Sequence, residues 1–200
     1  MKSFFISGSK MSNNYRKRGL GAAFDFWDQE DVDLHKRTLN SSLKIFEGLF
    51  GYKSISFTPT SMVYPSSLEQ QMICNGVKWL DVGRLLKTPR VGEGARWQVN
   101  YLGRKKRSGL RLLVRNAAFE PNRYGLSRSV DHCMKGIETA FRHRQPAIIS
   151  NHRAAFAGRI DEGNRRKGLQ ALDHLLMRIL KTYPDVEFIS MPDFSKSIDQ

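Results

Sequence analysis

The chain has 200 residues, of which 40% are hydrophobic and 26% charged, and its net charge is +14. These values are typical of a globular protein, and no apolar run approaches the roughly 18 residues that a membrane-spanning helix needs. The two cysteines form no CxxC pair, which argues against a zinc knuckle or a disulfide scaffold.

The amino-terminal residues predict neither an export signal nor a folded element. Residues 1–8 contain an apolar run of only three residues, whereas a signal peptide needs about 7–15. We therefore expect a cytoplasmic protein in which residues 1–20 form a loose basic arm. The remaining residues, 21–200, are expected to form a single domain.

The first half of that domain has the pattern of a βαβ unit. Residues 28–50 predict a helix with Asp28 as its N-cap and Gly51 as its left-handed C-terminal cap. Residues 54–58 and 77–82 predict strands, and Ser66 and Glu69 between them have capping-box spacing. A helix between two strands predicts a right-handed parallel crossover.

Residues 84–144 hold most of the positive charge, with 15 Lys/Arg against 4 Asp/Glu. The densest basic run, 104–107, lies between the strand-like segments 96–102 and 110–115. We expect these segments to form an antiparallel hairpin or two strands of an irregular excursion, with the basic run as a solvated hairpin tip. Such a patch attracts polyanions, but no aromatic-rich or helical recognition motif accompanies the charge, which argues against nucleic acid as the partner.

The second half predicts helix 127–143, a strand over 147–150 that is buried on both faces, a leucine-rich helix capped by Asp161, a strand over 186–190 and a short helix near Pro192. The fold class is therefore α/β with a mostly parallel sheet. A chain of this length is short for a complete (β/α)8 barrel, which usually needs about 250 residues.

Polar residues at strand ends are the candidate site, because the carboxyl ends of parallel strands converge on one edge of a sheet. His152 is the first candidate, as an acid, a base or a metal ligand. Around it we place Asn151, Arg153 and the group Arg115, Asn116 and Glu120, with Asp25 as a possible carboxylate partner. The alternative is that these side chains only anchor loops and that Asp25 is a helix-start charge. The sequence contains no glycine-rich phosphate loop, GxSxG elbow or His-x3-His pair.

Four segments in order resemble bacterial polysaccharide deacetylase-like proteins of the glycoside hydrolase/deacetylase superfamily. They are residues 50–59 (FGYKSISFTP), 75–80 (NGVKWL), 147–153 (AIISNHR) and 183–189 (YPDVEFI). The resemblance covers residues 21–194 and implies an irregular (β/α) barrel. It also implies metal-assisted hydrolysis of an acylated carbohydrate, with His152 as the general acid that protonates the leaving amine.

The same resemblance implies that Asn151, Arg153, Arg115, Asn116 and Glu120 bind and orient the substrate. A divalent metal such as zinc belongs to the complete family form, but its early Asp-Asp strand and His-x3-His motif have no counterpart in this sequence. The arginine that the family carries near residues 57–59 is also absent. We therefore expect an incomplete barrel, truncated at its amino-terminal side, that is inactive as this chain. It is either the carboxyl-terminal two-thirds of a longer enzyme or a degenerate member without metal chemistry.

Two other functions remain open. The basic residues 84–144 could make the chain a non-enzymatic carbohydrate- or polyanion-binding protein, with His152 in a structural role. Alternatively the chain is a structural remnant, and an incomplete barrel would then self-associate through its exposed edge.

Overall fold

The computed structural model describes residues 23–26, 28–90, 93–159 and 161–198. The predicted arm, residues 1–20, lies outside these ranges. The chain divides into two compact units, Met1–Leu113 and Val114–Gln200. Because two compact segments can still fold as one cooperative domain, the single domain over 21–200 stays a prediction.

Helix α1, Gln29–Phe50, opens the described part of the first unit and confirms the predicted helix. Asp28 is its N-cap, and the carboxylate accepts a 2.9 Å hydrogen bond from the backbone N–H of Asp31. Gly51 ends the helix with a φ of 75°, a conformation that favours glycine. The helix buries Val32 and Leu39.

The predicted parallel crossover follows. Strand β1, Ser56–Phe57, pairs in parallel with β2, Trp79–Val82, in the register Ser56↔Trp79. Between them lie the 3-10 turns Thr60–Met62 and Ser66–Leu68 and helix α2, Glu69–Cys74. The expected capping box does not form, because Glu69 is buried and bonds elsewhere.

Strands β3, Leu85–Arg90, and β4, Glu93–Val99, form an antiparallel hairpin of their own. The hairpin predicted between 96–102 and 110–115 is therefore wrong along β4. Antiparallel pairing occurs only beside the basic run, where Lys105 bridges Arg111 and the Gly103 N–H donates a 2.8 Å bond to the Leu112 carbonyl. Strand β5, Arg111–Val114, instead joins β2, which gives a sheet of order β1-β2-β5. The sequence did not predict β3, because Pro89 interrupts its strand pattern. Proline is nevertheless tolerated in a strand at the edge of a sheet.

The second unit contains another parallel pair. Strand β6, Ala117–Ala118, pairs with β7, Ile149–Ser150. Helices α3, Pro121–Tyr124, and α4, Leu126–Arg142, connect them, so the predicted helix 127–143 is confirmed within one residue. Both residues of β7 are only half-buried, contrary to the prediction of a strand buried on both faces.

One long and one short helix complete the described part of the second unit. Helix α5, Glu162–Thr182, begins at the predicted cap Asp161, whose carboxylate accepts a 2.9 Å bond from the Gly163 N–H. Helix α6, Met191–Ile198, confirms the short helix near Pro192. The predicted strand 186–190 is wrong: these residues form no strand, and Phe188 and Ile189 are exposed.

Small residues set the packing of the second unit. A Cβ on Gly136 of α4 would lie 2.8 Å from Cα of Ala117, and a Cβ on Gly168 of α5 would overlap the carbonyl of Ala155. Backbones approach closely at both points. Helix α5 buries the face that carries Gly168, Ala171, Leu175 and Ile179, and it leaves Leu169, Leu176 and Leu180 exposed. The buried core of this unit comprises Ala117, Phe119, Val130, Cys133, Met134, Ile137, Ala171, Leu175 and Ile179.

The α/β class is confirmed, and both β1–β2 and β6–β7 are parallel as predicted. Within the described ranges the strands form three separate sheets rather than one closed ring. None of the helices described there is both long enough and apolar enough to pass through a bilayer.

Candidate acid–base site

The carboxyl ends of β6 and β7 bring two predicted site residues together. Ala117 pairs with Ile149, and the Phe119 N–H donates a 2.8 Å bond to the Ser150 carbonyl. Glu120 and His152 each lie three residues beyond the paired Ala117 and Ile149. The parallel register therefore holds their backbones level, and their side chains meet at the edge of the sheet.

Nδ1 of His152 lies 2.6 Å from Oε1 of Glu120. The Glu120 side chain is 16% exposed and that of His152 is 75% exposed, so the carboxylate is covered while the ring reaches solvent. An ionised carboxylate only accepts hydrogen bonds, so this contact places a proton on Nδ1. Nε2 is then left as the atom that can exchange a proton with another molecule.

His152 lies at the start of a loop that hydrogen bonds hold to helix α5. Directly after His152 the chain makes the 3-10 turn Arg153–Phe156, in which Ala155 is buried. The amide of Asn164 in α5 donates to the carbonyls of Ala154, at 2.7 Å, and Ala157, at 2.9 Å. The loop is therefore bound to the first turn of α5 on both sides of Ala155.

The other predicted residues of this unit have different surroundings. Nη1 of Arg115 lies 3.2 Å from the Ser150 hydroxyl, next to the carboxyl end of β7. Asn116 donates to the Pro146 carbonyl at 2.9 Å and accepts from the Ile148 N–H at 2.7 Å. Both polar ends of Asn116 thus bind the backbone before β7, which favours the loop-anchoring alternative for this residue. Asn151 and Arg153 are exposed beside His152.

Asp25 belongs to the first unit, where its carboxylate accepts a 3.1 Å bond from the Phe26 N–H. Its role as a carboxylate partner stays a prediction. The carboxylate that the structure pairs with His152 is Glu120, which the sequence suggested only as a substrate-binding residue. The correct alignment of β6 with β7 would have revealed the pair.

The described residues contain no group of three or more His, Cys, Asp or Glu side chains that could hold a metal ion. The ligands that the family resemblance implies are thus not found in that part of the chain. Proton exchange at Nε2 of His152 requires no such ligands.

A second polar cluster lies in the first unit, where the sequence predicted a solvated hairpin tip. Lys106, from the basic run, is only 14% exposed in its side chain and forms an ion pair with the buried Glu69. The hydroxyls of Tyr64 and Ser108 donate to the same carboxylate, at 3.0 and 2.6 Å. The prediction was wrong for Lys106, because a buried carboxylate 37 residues away provides its partner.

No family model, curated protein or solved structure was found to match this chain.

Proposed function

We propose that the second unit carries the acid–base part of a hydrolytic site for an acylated carbohydrate, as in polysaccharide deacetylase-like proteins. The contact between His152 and Glu120 at the carboxyl ends of two parallel strands is the observation that supports it. In this proposal β6, α4 and β7 are one βαβ segment of an irregular, incomplete (β/α) barrel.

His152 would act on the leaving group. When an amide is hydrolysed, the oxygen of water bonds to the carbonyl carbon, the C–N bond breaks and the amine nitrogen takes a proton. Protonated His152 would give that proton from Nε2, and the charge of Glu120 would stabilise the imidazolium before the transfer. The proton lost by the attacking water would restore the histidine, so the reaction leaves the protein unchanged.

The pair supplies proton transfer only. Polarising the carbonyl takes several kcal/mol of charge stabilisation, which one histidine and one carboxylate do not provide. We therefore propose that this chain by itself is inactive on acylated carbohydrate and that Arg115, Asn151 and Arg153 orient the substrate beside His152.

Protein whose histidines are labelled with ¹⁵N tests this proposal by NMR without requiring turnover. The chain has five histidines, and His152→Ala assigns the signal of His152 in a ¹⁵N spectrum. We expect an N-acetylated chito-oligosaccharide to shift that signal and the fully deacetylated oligomer to shift it much less. His174→Ala, at an exposed position of α5, is the matched control and should preserve the response.

If neither oligomer shifts the His152 signal, the proposal is contradicted. Equal shifts with both oligomers would indicate a sugar-binding site without deacetylase character. Acetate release should stay at background with and without added Zn²⁺. Release that depends on His152 would show that the chain is active and would contradict the expected inactivity alone.

The alternative, non-enzymatic binding of a carbohydrate or polyanion by the basic residues 84–144, is favoured by a different observation. Arg84, Arg96, Lys105 and Arg107 of the first unit are all exposed. Binding of this kind should weaken steeply with added salt and should be indifferent to His152→Ala.

A further inference from the structure

The β3–β4 hairpin exposes apolar side chains where a half-buried hairpin ordinarily exposes polar ones. Leu85, Trp97 and Val99 are 60, 64 and 63% exposed. Leu85 pairs directly with Val99, and alternation along β4 places Trp97 on the same side. We call these three residues and the following Tyr101, which is 64% exposed, the hairpin surface.

The opposite side of the hairpin faces the interior. Leu86 is 1% exposed, and so is buried next to the exposed Leu85. Asn100 is 2% exposed; its N–H donates to the Arg84 carbonyl at 2.8 Å, which extends the ladder beyond β4. The inward side is therefore fixed by Leu86 and Asn100, and slippage of β4 by one residue would turn Asn100 outward.

Positive charge surrounds this surface. Residues 84–113 contain nine Lys/Arg and one Asp/Glu. The guanidinium of Arg104 lies 5.8 Å from the centre of the Tyr101 ring and donates a 3.1 Å bond to the Val99 carbonyl. A cation is thus held against one of the exposed rings, in the geometry of a cation–π contact.

The buried ion pair of Lys106 with Glu69 orders the adjacent basic run. Because Lys106 is directed inward, its neighbours Lys105 and Arg107 are exposed on either side of it. Their charges are therefore carried by a fixed loop rather than a free chain, which lowers the entropy lost on binding.

We propose that the hairpin surface binds single-stranded nucleic acid. Flat aromatic rings beside cations are what such a ligand needs, since its bases stack on the rings and its phosphates pair with Lys and Arg. An acidic sugar needs several placed polar groups for its hydroxyls, whereas Leu85 and Val99 offer none and Trp97 offers only its indole N–H. The proposal goes beyond the hydrolytic function, because every residue it uses lies in Met1–Leu113.

This partner reverses an expectation from the sequence. The sequence argues against nucleic acid because no aromatic-rich or helical recognition motif accompanies the charge. Trp97 and Tyr101 precede that run in the sequence, and their exposure depends on pairing β4 with β3 instead of with β5. Arg104 lies beside one of these exposed rings, that of Tyr101.

Fluorescence anisotropy of a labelled 12-nucleotide oligo(dT) tests the proposal. We expect Trp97→Leu and Tyr101→Leu each to weaken binding about tenfold or more, the usual effect of losing one stacked base. Trp97→Phe should retain most of the affinity because it keeps a ring. Tyr52→Leu is the control, since Tyr52 is 60% exposed in the same unit but lies outside the hairpin.

Arg107→Gln, at an exposed position of the basic run, should reduce the slope of log affinity against log salt by about 0.7, the value for one phosphate contact on a single strand. Circular dichroism of each variant shows whether it is folded, and a folded Trp97→Leu that binds like the parent would overturn the proposal. Tighter binding of a duplex than of oligo(dT) would also overturn the proposal. A sulfated polysaccharide that binds as tightly as oligo(dT), with an affinity that neither aromatic variant changes, would overturn it as well. His152→Ala should not affect oligo(dT) binding, so failure here is separate from failure of the hydrolytic proposal.

Discussion

Lys106 donates a 2.6 Å hydrogen bond to the hydroxyl of Tyr64, and the two groups share the carboxylate of Glu69. Burial, together with the charge of Glu69, raises the pKa of Tyr64 far above its usual range, so the phenol stays neutral and keeps its proton to donate. The Lys106 ammonium also lies 5.2 Å from the centre of the Tyr64 ring. Each group of the cluster thus has a partner in the interior.

Removing the cation should leave a buried carboxylate without its counter-charge. We expect Lys106→Met to lower the free energy of unfolding by about 3 kcal/mol, because breaking a buried pair costs more than the pair contributes. Lys105→Met, at the exposed neighbouring position, should change it by less than about 0.5 kcal/mol. Urea unfolding measures both, and similar small effects would show that Glu69 is hydrated rather than paired.

His35 should make stability depend on pH near neutrality. Burial lowers its pKa below the ordinary 6.5, against the opposing charges of Asp31 and Asp25. The unfolded chain then binds a proton more readily, so this contribution to stability is present above pH 6.5 and is lost as the pH falls through the lower folded pKa. We expect His35→Phe to flatten the stability curve between pH 7.5 and 5, as measured by urea unfolding.

The replacement suits the site, because the His35 ring already lies edge-on to Phe24 at 5.4 Å. His174→Phe, at an exposed position, should leave the pH dependence of the parent unchanged. A parent whose stability is already flat across this range would refute the assignment to His35.

Two glycine-to-alanine variants should change stability in opposite directions. Gly168→Ala would drive a methyl group into the Ala155 carbonyl, so we expect a loss of about 2 kcal/mol. Gly48→Ala in α1 meets no atom within 4 Å and should gain about 1 kcal/mol from helix propensity. Thermal unfolding distinguishes the two, and stabilisation by both would mean that the turn after His152 moves freely.

Arg144, two residues beyond the last residue of helix α4, has a left-handed φ of 55°. Glycine adopts this conformation without the side-chain clash, which costs other residues about 1–2 kcal/mol. Arg144→Gly should therefore stabilise the protein by about 0.5–1 kcal/mol, after allowing for the greater freedom of glycine in the unfolded chain. Arg144→Ala keeps the clash and should bring no gain, so equal thermal midpoints for the two variants would contradict this account.

Local sequence signals predicted the helices well and the strand pairing poorly. Asp28, Asp161 and Gly51 act through their own backbone neighbours, so their roles can be inferred from adjacent residues. Pro89 obscures the strand pattern of β3, and the pairing of β5 with β2, which is distant in sequence, depends on long-range packing that no short window contains. The same limitation produced the false strand at 186–190.

The candidate site was predictable only in part, because its residues come from elements that are distant in sequence. A polar His152 after an apolar run was visible in the sequence, and the strand–helix–strand pattern placed it at a sheet edge. The pairing of His152 with Glu120 could not be predicted, because β6 and β7 are too short for their alternation to fix a register. Lys106 was misjudged because its neighbours in sequence are charged, whereas its partner Glu69 comes from a different element.

The register Ala117↔Ile149 also has a kinetic consequence. A loop of about thirty residues must close before the first hydrogen bond between β6 and β7 can form. The entropy cost of closing that loop is not offset until the two strands make contact. Helix α4, whose contacts are local, can form earlier and shorten the distance that remains. We therefore expect Glu120 and His152 to come together late in folding, after the helices, so that early intermediates lack the acid–base pair.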